Sequence, residues 1–221
     1  MENFGEELAY WYFRMNGFFL VRNFIHHSIG HDDGADSDLL GLRLKSVGEI
    51  MWDPGERCFQ ELTWDRAQPE FKKFLQEGTK DWKENIAIIV EVKSGIGKAS
   101  TENAFEKTRL HAALTRLGLH ANEANINELA AKKEMKLGDW QILKFLACRK
   151  SNEDSMAGNY YTIPFDHMIH FISKRFDDYP KKRSNWNHFP SDLMQYIAFN
   201  HIEKQKNEKT PYAVMKPKST E

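Results

Sequence analysis

Glu91 and Lys93 stand one residue apart at the end of IAIIVEVKSG, where five apolar residues in succession give way to charge. A continuous apolar run bounded by Ser-Gly reads as a strand buried on both faces. Side chains at i and i+2 of a strand share a face, so this carboxylate and ammonium project together while Val92 points away. Two charges at a buried strand end cost desolvation free energy unless something there uses them. Taken alone, a Glu-x-Lys pair is most often an exposed, weak ion pair. A second carboxylate alters the reading. Asp38 leads directly into the apolar strand DLLGLRL and supplies another hard oxygen ligand. Asp36 has the same parity and is its rival for that place. Two carboxylates on neighbouring strands can chelate a divalent cation, helped by the Val92 carbonyl. An ammonium beside the bound water would orient it and stabilise negative charge, as hydrolysis of a phosphodiester requires.

The elements that must position these groups follow from periodicity. ENFGEELAYWYFRMNGFFLV places Leu8, Trp11, Tyr12 and Met15 at helical spacing, with Ala9 and Phe13 widening the apolar surface. Asn16-Gly17 stops that helix, FFLVRNFI reads as a strand, and HHSIGHDDGADS as a polar loop before DLLGLRL. Residues 46–85 read as an insertion, with a turn at Asp53-Pro54-Gly55, a short strand CFQEL and a helix around QPEFKKFLQEG. After the buried strand come a helix, TENAFEKTRLHAALTRLGL, and a solvent-facing helical stretch, ANEANINELAAKKEMKLG. WQILKFLACR is then a strand. TIPFDHMIHFISKRF is a helix with Asp166 near its start and Met168, Phe171 and Ile172 inward. A last helix, SDLMQYIAFNHIEKQK, leads into a charged tail. The expectation is one α/β domain over 1–221, with a helical extension at 160–210.

The 221 residues suffice for one good core, and a net charge of -1 does not by itself announce a nucleic-acid binder. Cys58 and Cys148 have no CxxC spacing, which disfavours a thiolate zinc site. No apolar stretch is long enough to span a bilayer and MENFGEE is not a signal peptide, so the expectation is a soluble cytoplasmic protein with no membrane partner.

The order of these motifs resembles the PD-(D/E)XK, or restriction-endonuclease-like, nuclease superfamily. GEELAYWYFRMNGFFLV is similar to the Gly-Glu-x-x-Ala-x-x-Tyr-Leu-x-x-x-Gly-Phe pattern of archaeal-type Holliday junction resolvases and their bacterial relatives. Glu6, Ala9, Tyr12, Phe13 and Gly17 fall on it, with Phe13 in place of leucine. SDLLGLR and VEVKSG are similar to the family's Asp strand and Glu-x-Lys strand, and Lys107 lies where a further basic residue is common. The resemblance covers about the first 150 residues without the insertion. It implies a mixed sheet flanked by helices, Mg²⁺ with Mn²⁺ as a substitute, and Glu6, Asp38, Glu91 and Lys93 as the catalytic set. Asp38, Glu91 and the Val92 carbonyl would hold the metal. DNA is the implied substrate, in defence, restriction or repair, and a homodimer is plausible by analogy. No proline precedes Asp38, and the long gap to Glu91 leaves open whether their strands pair.

Lys98, Lys107 and Arg109 follow the charged strand closely enough to reach phosphates flanking the cut, and Lys181, Lys182 and Arg183 form a second basic cluster. GIGKAS lacks the first glycine of a phosphate loop, since Val92 occupies that place, and is not read as a nucleotide site. The cluster His26, His27, His31, Asp32, Asp33 and Asp36 reads as a solvated turn, and His167 and His170 as partly buried polar edges. Trp186, His188 and Phe189 read as packing. Two other functions fit the same residues: a non-catalytic member that binds nucleic acid or protein, and a nuclease directed at RNA.

Overall fold

The computed structural model describes residues 3–26, 35–45, 49–53, 58–62, 84–94, 104–149, 158–177 and 191–209. The chain divides into two compact units, Met1–Ile172 and Ser173–Glu221. The first is an α/β unit built on a mixed open sheet of six strands flanked by helices.

Helix α1 spans Phe4–Met15. Asn3 caps its start by accepting the Gly5 N–H at 3.1 Å. Its buried stripe is Gly5, Leu8, Ala9, Tyr12 and Phe13, while Trp11 and Met15 stay half-buried. At its end the Phe18 N–H reaches the Phe13 carbonyl and the Gly17 N–H that of Arg14, with Gly17 at φ 84°. This is the left-handed close for which Asn-Gly is suited.

Strand β1 (Phe19–His26) pairs antiparallel with β2 (Ala35–Arg43), which pairs antiparallel with β5 (Asn85–Lys93). The question left open by the insertion is thus answered: the Asp38 and Glu91 strands are direct neighbours. Strand β2 begins three residues before Asp38, because its early part pairs with β1 out to Ala35–His26 while its pairing with β5 starts at Leu39. Within the insertion, β3 (Glu49–Asp53) and β4 (Cys58–Leu62, the expected strand CFQEL) form a separate antiparallel pair, and the expected turn residues Pro54 and Gly55 lie outside the described residues. The helix expected around QPEFKKFLQEG lies outside the described residues.

Helix α2 (Lys107–Arg116) follows a turn at Ala104–Phe105, so it starts later than its sequence suggests. The stretch 121–138, expected to be one solvent-facing helix, is instead α3 (Glu123–Ala131) followed by strand β6 (Glu134–Leu137). Asn122 and Asn125 close a capping box at the start of α3, and Ile126 and Leu129 are buried. Met135 and Leu137 alternate at strand period, and Gly138 at φ 58° turns the chain into β7 (Trp140–Cys148). β7 runs parallel to β5, and its outer neighbour changes along its length from β6 to β8 (Tyr161–Pro164).

The sheet has an apolar layer on each face. On one, α2 and α3 bury Leu110, Ala113, Leu114, Ile126 and Leu129 against Leu40, Ala87, Ile89, Met135 and Ile142. On the other, α1 lies against β5 and β7, with Phe13 5.3 Å from Phe145. Helix α4 (Phe165–Asp177) brings Phe171 within 5.1 Å of Tyr12, and its Met168, Phe171 and Ile172 are buried as expected. In the second unit, α5 (Asp192–Lys209) starts where Ser191 Oγ accepts the Met194 N–H at 3.2 Å. Its Leu193, Met194, Ile197 and Ala198 form a buried stripe. Among the described residues no helix is long and apolar enough to cross a membrane.

Candidate functional site

Antiparallel register fixes which side chains meet at the end of β5. Leu39 pairs with Val90, and one step further the same register sets Asp38 across from Glu91. Directly opposed residues share a face, so Asp38, Glu91 and Lys93 project from the side that carries Leu40 and Ile89. Asp38 Oδ2 accepts the Val92 N–H at 2.5 Å, which anchors the carboxylate to the neighbouring strand. Lys93 Nζ donates to Glu91 Oε1 at 2.5 Å. The Glu91 side chain is 8% exposed and that of Lys93 32%, so the ammonium occupies the solvent side of the pair. Asp36 pairs with Ile25, beyond the stretch of β2 that pairs with β5, which favours Asp38 as the site residue.

Burial raises the Glu91 carboxyl above its ordinary value of 4.5, and the Asp38 charge pushes it further the same way. The Lys93 hydrogen bond and the charges of Lys93 and Arg109 oppose this without cancelling it. The folded chain therefore holds this proton more tightly than the unfolded chain, and stability falls as pH rises from the unfolded carboxyl value through the raised folded one. Glu91→Gln is expected to raise the melting temperature in chelator at pH 7.5, with the difference vanishing towards pH 4. Equal or lower stability of the variant at pH 7.5 would contradict a net cost of the buried charge.

The remaining candidates divide. Arg109 lies half-buried in the first turn of α2, and its charge is felt at Glu91. Lys107, one turn-step earlier, is exposed. That first turn contains no acidic residue, and Glu106 makes no side-chain cap, so the positive end of the helix carries two cations and no opposing carboxylate. Helix α1 packs on the opposite face, against Val92, but its start is tied to the end of β5 because Asn3 Nδ2 donates to Ser94 Oγ at 3.2 Å. Glu6, half-buried on that first turn, can approach the carboxylates only around the strand end. Gly5 permits the approach: a Cβ there would lie 2.6 Å from Phe165 Cζ and 2.9 Å from Val92 Cγ1. Lys98, Lys181, Lys182 and Arg183 lie outside the described residues, as do most of the His/Asp turn and the Trp186–Phe189 aromatics. His167 is half-buried with its ring 6.0 Å from that of Tyr12, and His170 is exposed.

Lys144 escaped the sequence reading. It sits in the middle of the apolar strand WQILKFLACR and is fully buried on the same face as the carboxylates. A lone lysine at an inward position between Ile142 and Leu146 was the available signal.

Among the described residues no group of three or more His, Cys, Asp or Glu is placed to hold a metal ion. Two opposed carboxylates remain, which suits a hard cation that keeps several waters and takes one or two carboxylates, and does not suit a transition-metal cage. The mutual repulsion felt at Glu91 is what such a cation would relieve. No family model matches the chain, and none of the curated proteins or solved structures compared with it is similar enough to count as a match.

Proposed function

We propose that this protein is a divalent-metal-dependent nuclease of the PD-(D/E)XK type, hydrolysing DNA phosphodiesters at the end of β5. The observation that carries the reading is the register setting Asp38 across from Glu91, with Lys93 on the same face. Restriction-endonuclease-like architecture is part of the proposal, and the mixed sheet with α1 and α2 on opposite faces supports it.

Asp38 and Glu91, with the Val92 carbonyl, would hold Mg²⁺, or Mn²⁺ in its place. When bound, the ion supplies Lewis-acid charge at the phosphate and an activated water. Asp38 is held in position by the Val92 N–H, so its carboxylate loses little freedom on binding. Lys93, on the solvent side of Glu91, orients the attacking water and stabilises charge gathering on the phosphate. Arg109 and Lys107, with the uncapped start of α2, hold the flanking phosphates.

The test incubates purified protein with plasmid, linear and branched DNA and with RNA, in Mg²⁺, Mn²⁺ or chelator. Cutting of DNA that requires the divalent ion is the expected result. Cutting of RNA alone would redirect the substrate assignment, and binding without cutting under every condition would leave a non-catalytic binding protein.

The two adjacent glutamates provide a sharper comparison. Glu6 belongs to the ridge that continues through Tyr10, whereas Glu7 points about 100° away around the helix. Glu6→Gln is expected to lower cleavage by on the order of 10²-fold, and Glu7→Gln by less than about 3-fold. Wild-type rates in both variants would place both glutamates outside the site, and a larger loss in Glu7→Gln would reverse the assumed helix phase.

A further inference from the structure

We infer that Lys144 is a positioning residue for the basic end of α2, holding Phe105, and through it Lys107 and Arg109, over the strand-end carboxylates. Its ammonium is fully buried and lies 3.3 Å from the Ala130 carbonyl, near the last turn of α3. The same nitrogen sits 5.3 Å from the centroid of the Phe105 ring. Phe105 is pressed from another direction by Tyr160, whose ring is 5.4 Å away and tilted by 36°. Phe105 directly precedes Glu106, the first flanking residue of α2, so anchoring its ring fixes where that helix begins.

The placement along β7 matters. Leu143 pairs with Glu134 of β6, and Phe145 with Tyr161 of β8, so Lys144 stands at the junction where the outer neighbour changes. Asn159 Nδ2 also donates to the Ala130 carbonyl at 3.3 Å, so one acceptor joins this junction to α3. Methionine has nearly the same length and would fill this space without the desolvation cost of an ammonium. What the charge adds is a directional hold on a carbonyl and an aromatic face. Surrounding elements carry Glu91 and Lys93 on β5, Lys107 and Arg109 on α2, Glu128 on α3 paired with Lys132 just past its end, Lys133 beside it, and Tyr160 against Phe105. Burial alone lowers the ammonium's pKa to about 8.

This role rests on the nuclease reading for its consequence, but its geometry is testable without activity. Because the folded pKa is below the unfolded value, loss of the proton stabilises the whole fold as pH rises between the two. The same loss releases Phe105. A merely structural lysine would move global and local stability in one direction, whereas a positioning lysine moves them in opposite directions.

The experiment compares the full-length protein with Lys144→Met and Phe105→Leu by amide hydrogen exchange, corrected for intrinsic rates, and by cleavage. Lys144→Met is expected to melt no lower than wild type, while exchange at residues 110–113, the first hydrogen-bonded amides of α2, quickens about tenfold and β5 and β7 keep their protection. Raising the pH from 7 to 9.5 should reproduce that local change in wild type and leave Lys144→Met unaltered. Phe105→Leu, which keeps Lys144 in place, should show the same local quickening, and the double variant should add nothing to it. DNA cleavage should fall about tenfold in each, through weaker substrate binding. Unchanged exchange at 110–113 in Lys144→Met or in Phe105→Leu, or additive effects in the double variant, would overturn the role. Failure of Lys144→Met to fold would overturn it too, since the ammonium would then be holding the fold itself. If wild type cuts nothing but the exchange results hold, the nuclease reading fails and the positioning of α2 stands.

Discussion

Asp38→Ala and Glu91→Ala are each expected to lower DNA cleavage by about 10³-fold or more, and to abolish Mg²⁺ binding measured by titration calorimetry. Lys93→Ala should stop cutting to a similar extent and leave metal binding largely intact. The split follows from position. Asp38 is anchored by the Val92 N–H and Glu91 is buried across from it, so under the proposed reading each would supply its own ligand oxygen. Lys93 lies outward of Glu91 and is a donor, not a ligand. Removing it also frees Glu91 from its hydrogen bond, so metal affinity in Lys93→Ala is expected to hold or rise. Full activity of Lys93→Ala, or wild-type cutting in chelator, would dismiss the catalytic assignment. Retained metal binding in Asp38→Ala would move the ligand role to another carboxylate, with Asp36 the first to examine.

Gly5→Val is expected to cost about 1–3 kcal/mol of stability and to lower cleavage well beyond what that loss explains. Even the first carbon of the new side chain would stand 2.6 Å from the Phe165 ring and 2.9 Å from a Val92 methyl. The ring can tilt, but Val92 is held by its pairing with Ala147 of β7 and by its N–H on Asp38, so the helix must yield. Lifting the start of α1 pulls Asn3 from Ser94 and carries Glu6 away from the strand end. Thermal melting combined with cleavage under conditions where the variant remains folded would separate the effects. A variant as active per folded molecule as wild type would show that α1 takes no part in the chemistry.

Much of this arrangement was legible because single stretches carried it. β5 is buried on both faces, so its composition alone announced a central strand. In α1 the resemblance pattern has physical content at each position: Gly5 for close approach, Ala9, Tyr12 and Phe13 for the buried stripe, and Gly17 for the left-handed turn. Features that depend on partners were not legible. No periodicity says which strand lies beside β5, and the insertion hid the pairing that aligns Asp38 with Glu91. The early start of β2 is dictated by β1, and its loop-like residues gave no local sign of it. β6 has four residues and follows a helix directly, too short a stretch for its alternation to outweigh the helical composition around it. Lys144 was passed over because a burial cost becomes visible only when the layers closing over β7 are known.

The two ends of the insertion meet. The Lys45 N–H donates to Asn85 Oδ1 at 3.0 Å, immediately beyond the Arg43–Ile86 pair that ends the β2–β5 ladder. The sheet therefore closes at this point whatever the intervening chain contains, and each doubling of that chain adds only about 0.6 kcal/mol of closure entropy. A lineage can thus lengthen, shorten or exchange this stretch, as a graft carrying its own small β3–β4 sheet, without disturbing the alignment of Asp38 with Glu91. New binding surfaces can be acquired there by insertion, leaving the geometry of the strand end untouched.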